Sequence, residues 1–197
     1  MKIVSGKYGG RRLNVPKNRD IRPTTDKVRG AVFNMLHSRA AVEDARVLDA
    51  YCGSGALGLE ALSRGAVHCS FVDKARASLD LARGNAGDLG AMNESDFHII
   101  DWSKNSVKSN VNDTYGLIFL DPPYKKDLIA VTLEKLIQGN WLSAEAWIVC
   151  ESEKNLGFPV TAGMQIDHQK AYGDIQITLI RVLADYAAIQ KSEQPTP

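Results

Sequence analysis

Two short stretches of this sequence combine residue types that chemistry can use. One is Asp121-Pro122-Pro123-Tyr124. Two prolines cannot continue a sheet, and they stiffen the loop that holds them. A rigid loop with a carboxylate, a prolyl carbonyl and an aromatic ring suits a planar base bearing an exocyclic amine. Asp121 and the Pro122 carbonyl can accept the two N–H bonds of that amine, Pro123 leaves no competing N–H beside it, and Tyr124 can stack on the ring. The other stretch is Asp49-Ala50-Tyr51-Cys52-Gly53-Ser54-Gly55-Ala56-Leu57-Gly58. Glycines let the backbone come close to a ligand, and a helix beginning there offers unpaired N–H groups.

Taken literally, Gly53, Gly55 and Gly58 spell G-x-G-x-x-G, with Asp73 at the distance expected of a ribose-binding acid. A dinucleotide site, and with it an NAD-dependent oxidoreductase, is therefore one reading. In that fingerprint, however, the first glycine follows the strand directly. Here Asp49 ends the strand and three residues intervene. An anion in that place repels a pyrophosphate and suits a cationic ligand, such as the α-amino group of S-adenosylmethionine. Asp73 can accept both hydroxyls of a ribose, and Asp101 an adenine N–H. Tyr51 and Ser54 in the loop, Lys74 after Asp73 and Trp102 after Asp101 complete the expected cofactor set.

These residues need a scaffold that brings strand ends to one edge. From residue 46 the sequence alternates. Arg46–Ala50, Val67–Asp73, Phe97–Ile100, Tyr115–Asp121 and Ala146–Glu151 read as strands. Helices are expected over Ala56–Arg64, Ala75–Leu89 and Leu128–Ile137. Near-continuous apolar strands alternating with helices imply a mostly parallel α/β sheet covered on both faces. In such a sheet, ligands bind beyond the carboxyl ends of the strands. The runs Met164–Lys170 and Ile175–Val182, joined by Ala171-Tyr172-Gly173-Asp174, look like an antiparallel hairpin at the sheet edge.

The chain has 197 residues and a formal net charge of +1. That neutrality is a cancellation. Residues 1–39 hold ten basic and two acidic side chains and carry +8, so the remainder carries −7. The basic segment opens with two extended runs around Gly9-Gly10, a hairpin signal, and continues into a helix capped by Thr24 or Thr25, with Val28, Val32, Met35 and Leu36 on one face. Lys7, Arg11, Arg12, Arg19, Arg22 and Arg29 are the candidate phosphate contacts. The expected division is a basic RNA-docking extension over 1–39, a catalytic domain over 40–185 and a flexible tail over 186–197. Three scattered cysteines and four histidines give neither a disulfide framework nor a metal-ligand spacing, so no metal is expected. With no apolar leader and no apolar run of spanning length, the expectation is a cytoplasmic protein without a membrane partner, and a monomer.

Asp49…Gly53-Ser54-Gly55 together with Asp121-Pro122-Pro123-Tyr124 resembles a class I S-adenosylmethionine-dependent methyltransferase that acts on an amino nitrogen. The likeness goes further. Arg22-Pro23-Thr24-Thr25-Asp26-Lys27-Val28-Arg29, Phe33-Asn34, and Gly53 through Ala66 resemble the bacterial RsmD family, as do Gly9-Gly10-Arg11-Arg12-Leu13, Glu151-Ser152-Glu153 and Tyr172-Gly173-Asp174. The resemblance covers about Ile3 to Val182. It implies a Rossmann-like, mostly parallel seven-stranded sheet with an antiparallel C-terminal hairpin and a small N-terminal hairpin. It also implies methylation of the N2 of a guanine in 16S ribosomal RNA, in the assembled or assembling small subunit, with S-adenosylhomocysteine as product. Two departures are mild: Tyr51-Cys52 replaces a Phe-Ala/Gly pair, and Asp73 replaces a Glu. The Asp-Pro-Pro-Tyr motif alone leaves adenine N6, cytosine N4 or a protein glutamine open as the methyl acceptor.

Overall fold

A computed structural model describes residues 1–16, 25–104, 114–123, 128–154, 156–157 and 161–186. Its elements, in chain order, are α1 (Asp26–His37), β1 (Arg46–Asp49), α2 (Ala56–Ser63), β2 (His68–Asp73), α3 (Arg76–Leu89), β3 (Ser95–Ile99), β4 (Tyr115–Leu120), α4 (Leu128–Gln138), β5 (Leu142–Glu153), β6 (Met164–Tyr172) and β7 (Ile175–Val182). The seven strands form one mixed sheet in the order β3-β2-β1-β4-β5-β7-β6. The expected α/β sheet with an antiparallel end is therefore the fold. The chain divides into two compact units, Met1–Asp101 and Trp102–Pro197.

In the first unit, β1, β2 and β3 run parallel. The middles of β1 and β2 are buried, and Val47, Leu48, Phe71 and Val72 have no exposed surface, while β3 at the sheet edge is half-buried to exposed. Parallel strands therefore end together, and Asp49, Asp73 and Ile99-Ile100-Asp101 lie at their carboxyl ends. Helix α1 starts where a hydroxyl can cap it: Thr25 accepts a hydrogen bond from the Val28 N–H at 3.3 Å. Its buried face is Val28, Arg29, Val32, Phe33 and Leu36, while Met35 is half-buried. The glycine hairpin is present and short. A single antiparallel bridge pairs Lys2 with Arg12, and Ile3 N–H donates to the Arg11 carbonyl at 2.9 Å.

That hairpin is fastened to α2 and α3. Glu60 has no exposed surface, and its carboxylate accepts from Val4 N–H at 2.7 Å and Ser5 N–H at 3.0 Å. Ser63 donates its hydroxyl to the Ser5 carbonyl at 2.6 Å and accepts from Tyr8 N–H at 2.9 Å. Extended backbone thus finds partners on a helix side rather than in a sheet, which satisfies groups that would otherwise be costly to bury.

In the second unit, β4 pairs parallel with β5, and β7 pairs antiparallel with both β5 and β6. Strand β5 begins at Leu142, four residues earlier than its apolar run suggests. Glu145 has φ +60°, and the register shifts between Tyr115 and Leu117, so the extra residues form an irregular start that breaks the apolar pattern. Trp102, Tyr115 and Trp141 form an aromatic cluster, with Trp102 edge-on to Trp141 at 5.4 Å between ring centroids. Among the described residues no helix is long and apolar enough to cross a membrane.

Candidate functional site

The glycine loop joins β1 to α2, and its turn is tight. Gly55 N–H donates to the Cys52 carbonyl at 2.7 Å, and Cys52 N–H donates to the Val72 carbonyl at 2.9 Å. Gly55 has φ +80°, a left-handed conformation open to glycine at little cost, and it is the N-cap of α2. A glycine cap has no side chain to accept the third helical N–H. Asp49 supplies that acceptor from the strand end: its Oδ2 takes the Gly58 N–H at 3.0 Å. Gly58 itself is required by packing, because a Cβ there would lie 2.4 Å from the Phe71 ring and 2.5 Å from the Cys69 sulfur. The helix therefore rests directly on β2.

Asp73 closes the loop from the other side. Its Oδ2 accepts from Gly53 N–H at 3.1 Å and its Oδ1 from Ala75 N–H at 2.8 Å. A carboxylate has about four acceptor positions, so each oxygen retains capacity for a hydroxyl. Asp73 is half-buried, and Lys74 beside it is exposed. Within this unit Gly53 is bonded to Asp73, Gly55 to Cys52 and Gly58 to Asp49, with Ser54 buried and Tyr51 half-buried in the same loop.

Asp49 is 2% exposed, and burial pushes its carboxyl up to about 7. The Gly58 N–H acts against that rise, and the charge of Asp73 adds to it. In the unfolded chain the same carboxyl titrates near 3.8. The folded state therefore holds an extra proton between about pH 4 and 7. The stability this proton gives is full below pH 4 and is lost as pH rises through 7. Asp49→Asn, which cannot ionise, should raise the melting temperature at pH 8 and change it little near pH 4. Thermal unfolding of the two proteins side by side checks this, and equal shifts at both pH values would contradict it.

Burial also holds the thiols of Cys52, Cys69 and Cys150 protonated, well above their usual range. None is a thiolate nucleophile. The donor set also argues against a pyrophosphate, since Asp49 already takes one of the α2 N-terminal N–H groups and places a carboxyl there.

Asp101 is half-buried at the end of the first unit. Trp102, expected in the cofactor set, is the first residue of the second unit. The indole is 2% exposed and packs on Trp141, so it belongs to the core of the second unit, and its carbonyl accepts from Lys135 Nζ. In that unit β4 ends at Leu120. Asp121 follows it half-buried, Pro122 is buried and Pro123 is exposed. Tyr124 lies outside the described residues, as do Arg19 and Arg22.

Of the remaining expected phosphate contacts, Lys7, Arg11 and Arg12 are exposed on the hairpin. Lys7 pairs with Glu94 at 2.8 Å, and Arg11 donates to the Asp88 carbonyl. Arg29 must be removed from that group. It has no exposed surface, pairs with Asp26 at 3.0 Å and Glu60 at 3.4 Å, and donates to the Lys2 carbonyl. Its place beside Val28 puts it on the buried face of α1, where a cation is kept only by a matching anion.

Sequence reasoning missed Asn85. It is 1% exposed on α3, on a face otherwise made of Leu79, Ala82, Ala86 and Leu89. One polar side chain on an apolar face was the available signal. Its Oδ1 accepts from Asn14 N–H at 2.8 Å, while its Nδ2 donates to the Asn14 carbonyl at 3.0 Å and to the Ser54 carbonyl at 2.8 Å.

The family model described as conserved hypothetical protein 95 matches residues 1–181. The ribosomal RNA small subunit methyltransferase D of Escherichia coli K12 is 35% identical over 180 residues, which is 91% of this chain and 88% of that protein. The solved structure of the Escherichia coli protein yhhF superposes with a TM-score of 0.82 at 33% identity, covering 93% of this chain and 98% of that one. A Haemophilus influenzae structure superposes with a TM-score of 0.77 at 26% identity and covers 93% and 98%.

Proposed function

Since the chain belongs to the family of conserved hypothetical protein 95, the RsmD family, we propose that it transfers a methyl group from S-adenosylmethionine to the exocyclic N2 of a guanine in small-subunit (16S) ribosomal RNA. The observation that carries this reading is Asp121, half-buried at the end of β4 and followed by the buried Pro122. Such a loop presents fixed acceptors to an amino group and gives it nothing to accept.

The donor set of the first unit fits S-adenosylmethionine. Asp73 keeps acceptor capacity for ribose hydroxyls. The glycine loop brings backbone close, since a Cβ at Gly55 would already lie 3.1 Å from the Ala82 Cβ. Asp49, pushed up to about 7 and so only partly ionised at neutral pH when no cation is near, becomes fully ionised beside an ammonium group. When bound, S-adenosylmethionine supplies an electrophilic methyl group on a sulfonium centre.

Everything else is the work of this chain. A guanine N2 lone pair is delocalised into the ring and is a poor nucleophile. Accepting its two N–H bonds at Asp121 and the Pro122 carbonyl pulls the nitrogen toward tetrahedral geometry and frees that pair. Positive charge then grows on nitrogen, and the Asp121 anion is stabilising for that state more than for the ground state. A base in folded RNA must leave its stack, and Tyr124 offsets part of the unstacking.

Two expectations follow from the charged groups. Asp49→Ala should weaken S-adenosylhomocysteine binding in calorimetry, and in the unaltered protein the affinity should fall as pH drops through about 7, because the neutral carboxyl loses its hold on the amine. A flat pH profile would remove Asp49 from the site. Arg11→Ala with Arg12→Ala should weaken small-subunit binding and flatten its dependence on salt by about two charges. An unchanged salt slope would remove the hairpin from the docking surface. The reaction itself is tested by labelled methyl transfer into small subunits from cells lacking this enzyme. Label on N2 of one guanine is expected, and label on another base would reassign the substrate.

A further inference from the structure

Asn85 uses all of its hydrogen-bonding groups to join two segments that do different work. Its Oδ1 and one Nδ2 hydrogen grip the backbone of Asn14, which follows the basic hairpin. The other Nδ2 hydrogen holds the Ser54 carbonyl, in the middle of the glycine loop. Asn14 is further tied to α3 through Asp88 at 3.1 Å. Helix α3 meets the loop a second time, where Ala82 lies beneath Gly55, one turn before Asn85. The Ser54–Gly55 peptide is thereby fixed on both sides: its carbonyl by Asn85, its N–H by the Cys52 carbonyl. A peptide with both groups committed in a buried place cannot rotate without leaving a polar group unpaired.

We propose that Asn85 is a positioning residue that couples the hairpin arm to the cofactor loop, so that ordering of either segment favours ordering of the other. RNA held on residues 7–12 and S-adenosylmethionine held on the loop would then strengthen each other's binding by the same factor, as linkage requires. The inference rests on the reading of the glycine loop as the S-adenosylmethionine site.

The test uses the full chain, S-adenosylhomocysteine as probe, calorimetry and amide hydrogen exchange. Asn85→Asp keeps the acceptor for Asn14 N–H but replaces the donor that faces the Asn14 and Ser54 carbonyls with a carboxylate oxygen. It is expected to weaken S-adenosylhomocysteine roughly tenfold, although Asn85 is a helix side chain outside the loop. In the unaltered protein the ligand should slow exchange across residues 11–16, and in Asn85→Asp that protection should vanish. Ser63→Ala loosens the arm by removing the bonds to Ser5 and Tyr8 but keeps the Asn85 link, so it should weaken the ligand by less than Asn85→Asp and retain the exchange response at residues 11–16. That comparison separates coupling from general loss of stability. If Asn85→Asp does not fold, Asn14→Pro deletes the arm's N–H instead and should abolish the same protection. If the unaltered protein binds no S-adenosylhomocysteine, the reading of the loop fails and takes the inference with it. If it binds, and Asn85→Asp binds equally with no exchange response at 11–16, the inference alone is overturned.

Discussion

Asp121→Ala should abolish methyl transfer, lowering kcat by about a thousandfold or more, while the affinity for S-adenosylhomocysteine stays within a few fold. The size follows from what the carboxylate is asked to do. Correct positioning of reacting groups is worth about 7–11 kcal/mol in well-oriented cases. Loss of one preorganised electrostatic partner costs roughly 2.7–4 kcal/mol in kcat. Asp121 contributes to both, because it holds the amino group and faces the charge that grows on it. The cofactor's proposed partners are elsewhere, on the loop between β1 and α2 and at the end of β2. Asp121→Asn is the informative companion: it keeps one acceptor oxygen but loses the charge, so it should fall between the two. Single-turnover methylation with saturating S-adenosylmethionine measures the effect free of binding. Turnover near that of the unaltered enzyme would refute the role.

The second large effect concerns stability. Glu60→Ala should destabilise the protein by about 3–5 kcal/mol, because it takes one of two carboxylates from the buried Arg29 guanidinium and leaves two backbone N–H groups of the arm without their acceptor. At about 2–4 °C per kcal/mol for a chain of this size, the melting temperature should drop by roughly 10 °C. Glu60 accepts from the Arg29 Nε at 3.4 Å, the Arg64 Nε at 2.7 Å and two backbone N–H groups of the arm. Replacing both charges, in Glu60→Ala with Arg29→Leu, should recover part of the loss, since the fully buried guanidinium is then gone and the ions that lose a partner, Arg64 and Asp26, reach solvent. Urea unfolding of the four proteins in the cycle gives the coupling directly. A loss below about 1 kcal/mol in the single variant, or strict additivity in the double, would contradict this account.

The two effects differ in how far they could be read in advance. Asp121-Pro122-Pro123 is a local signal. Prolines end a strand wherever they occur, and the apolar run Leu117–Leu120 fixes where the carboxylate lies. The same holds for the glycine loop, for Asp73 at the end of its strand, and for Thr25 as the cap of α1. Backbone preferences and apolar periodicity act over a few residues, and they survive into the fold because the core enforces them.

Charge pairing does not work at that range. Ten cations in the first 39 residues read as one basic segment, yet Arg29 is folded inward and Lys7 is met by Glu94. Periodicity says that position 29 adjoins an apolar face, but not that Glu60 waits beneath it. Trp102 reads as a cofactor residue beside Asp101, and the packing of its indole on Trp141 is visible only in the structure. The early start of β5 was hidden by a single left-handed residue, Glu145.

The strand–helix alternation, the α/β class, the loop after β1 and the acidic residues at the strand ends are each written in local backbone preference and apolar pattern. Which polar groups meet is set by how the elements pack. Asp49 caps a helix from nine residues away, Glu60 holds an arm more than fifty residues earlier in the chain, and Asn85 binds Asn14 and Ser54 together. A hydrogen bond needs its partners within about 3 Å, and over such separations that proximity comes only from packing the helices onto the sheet.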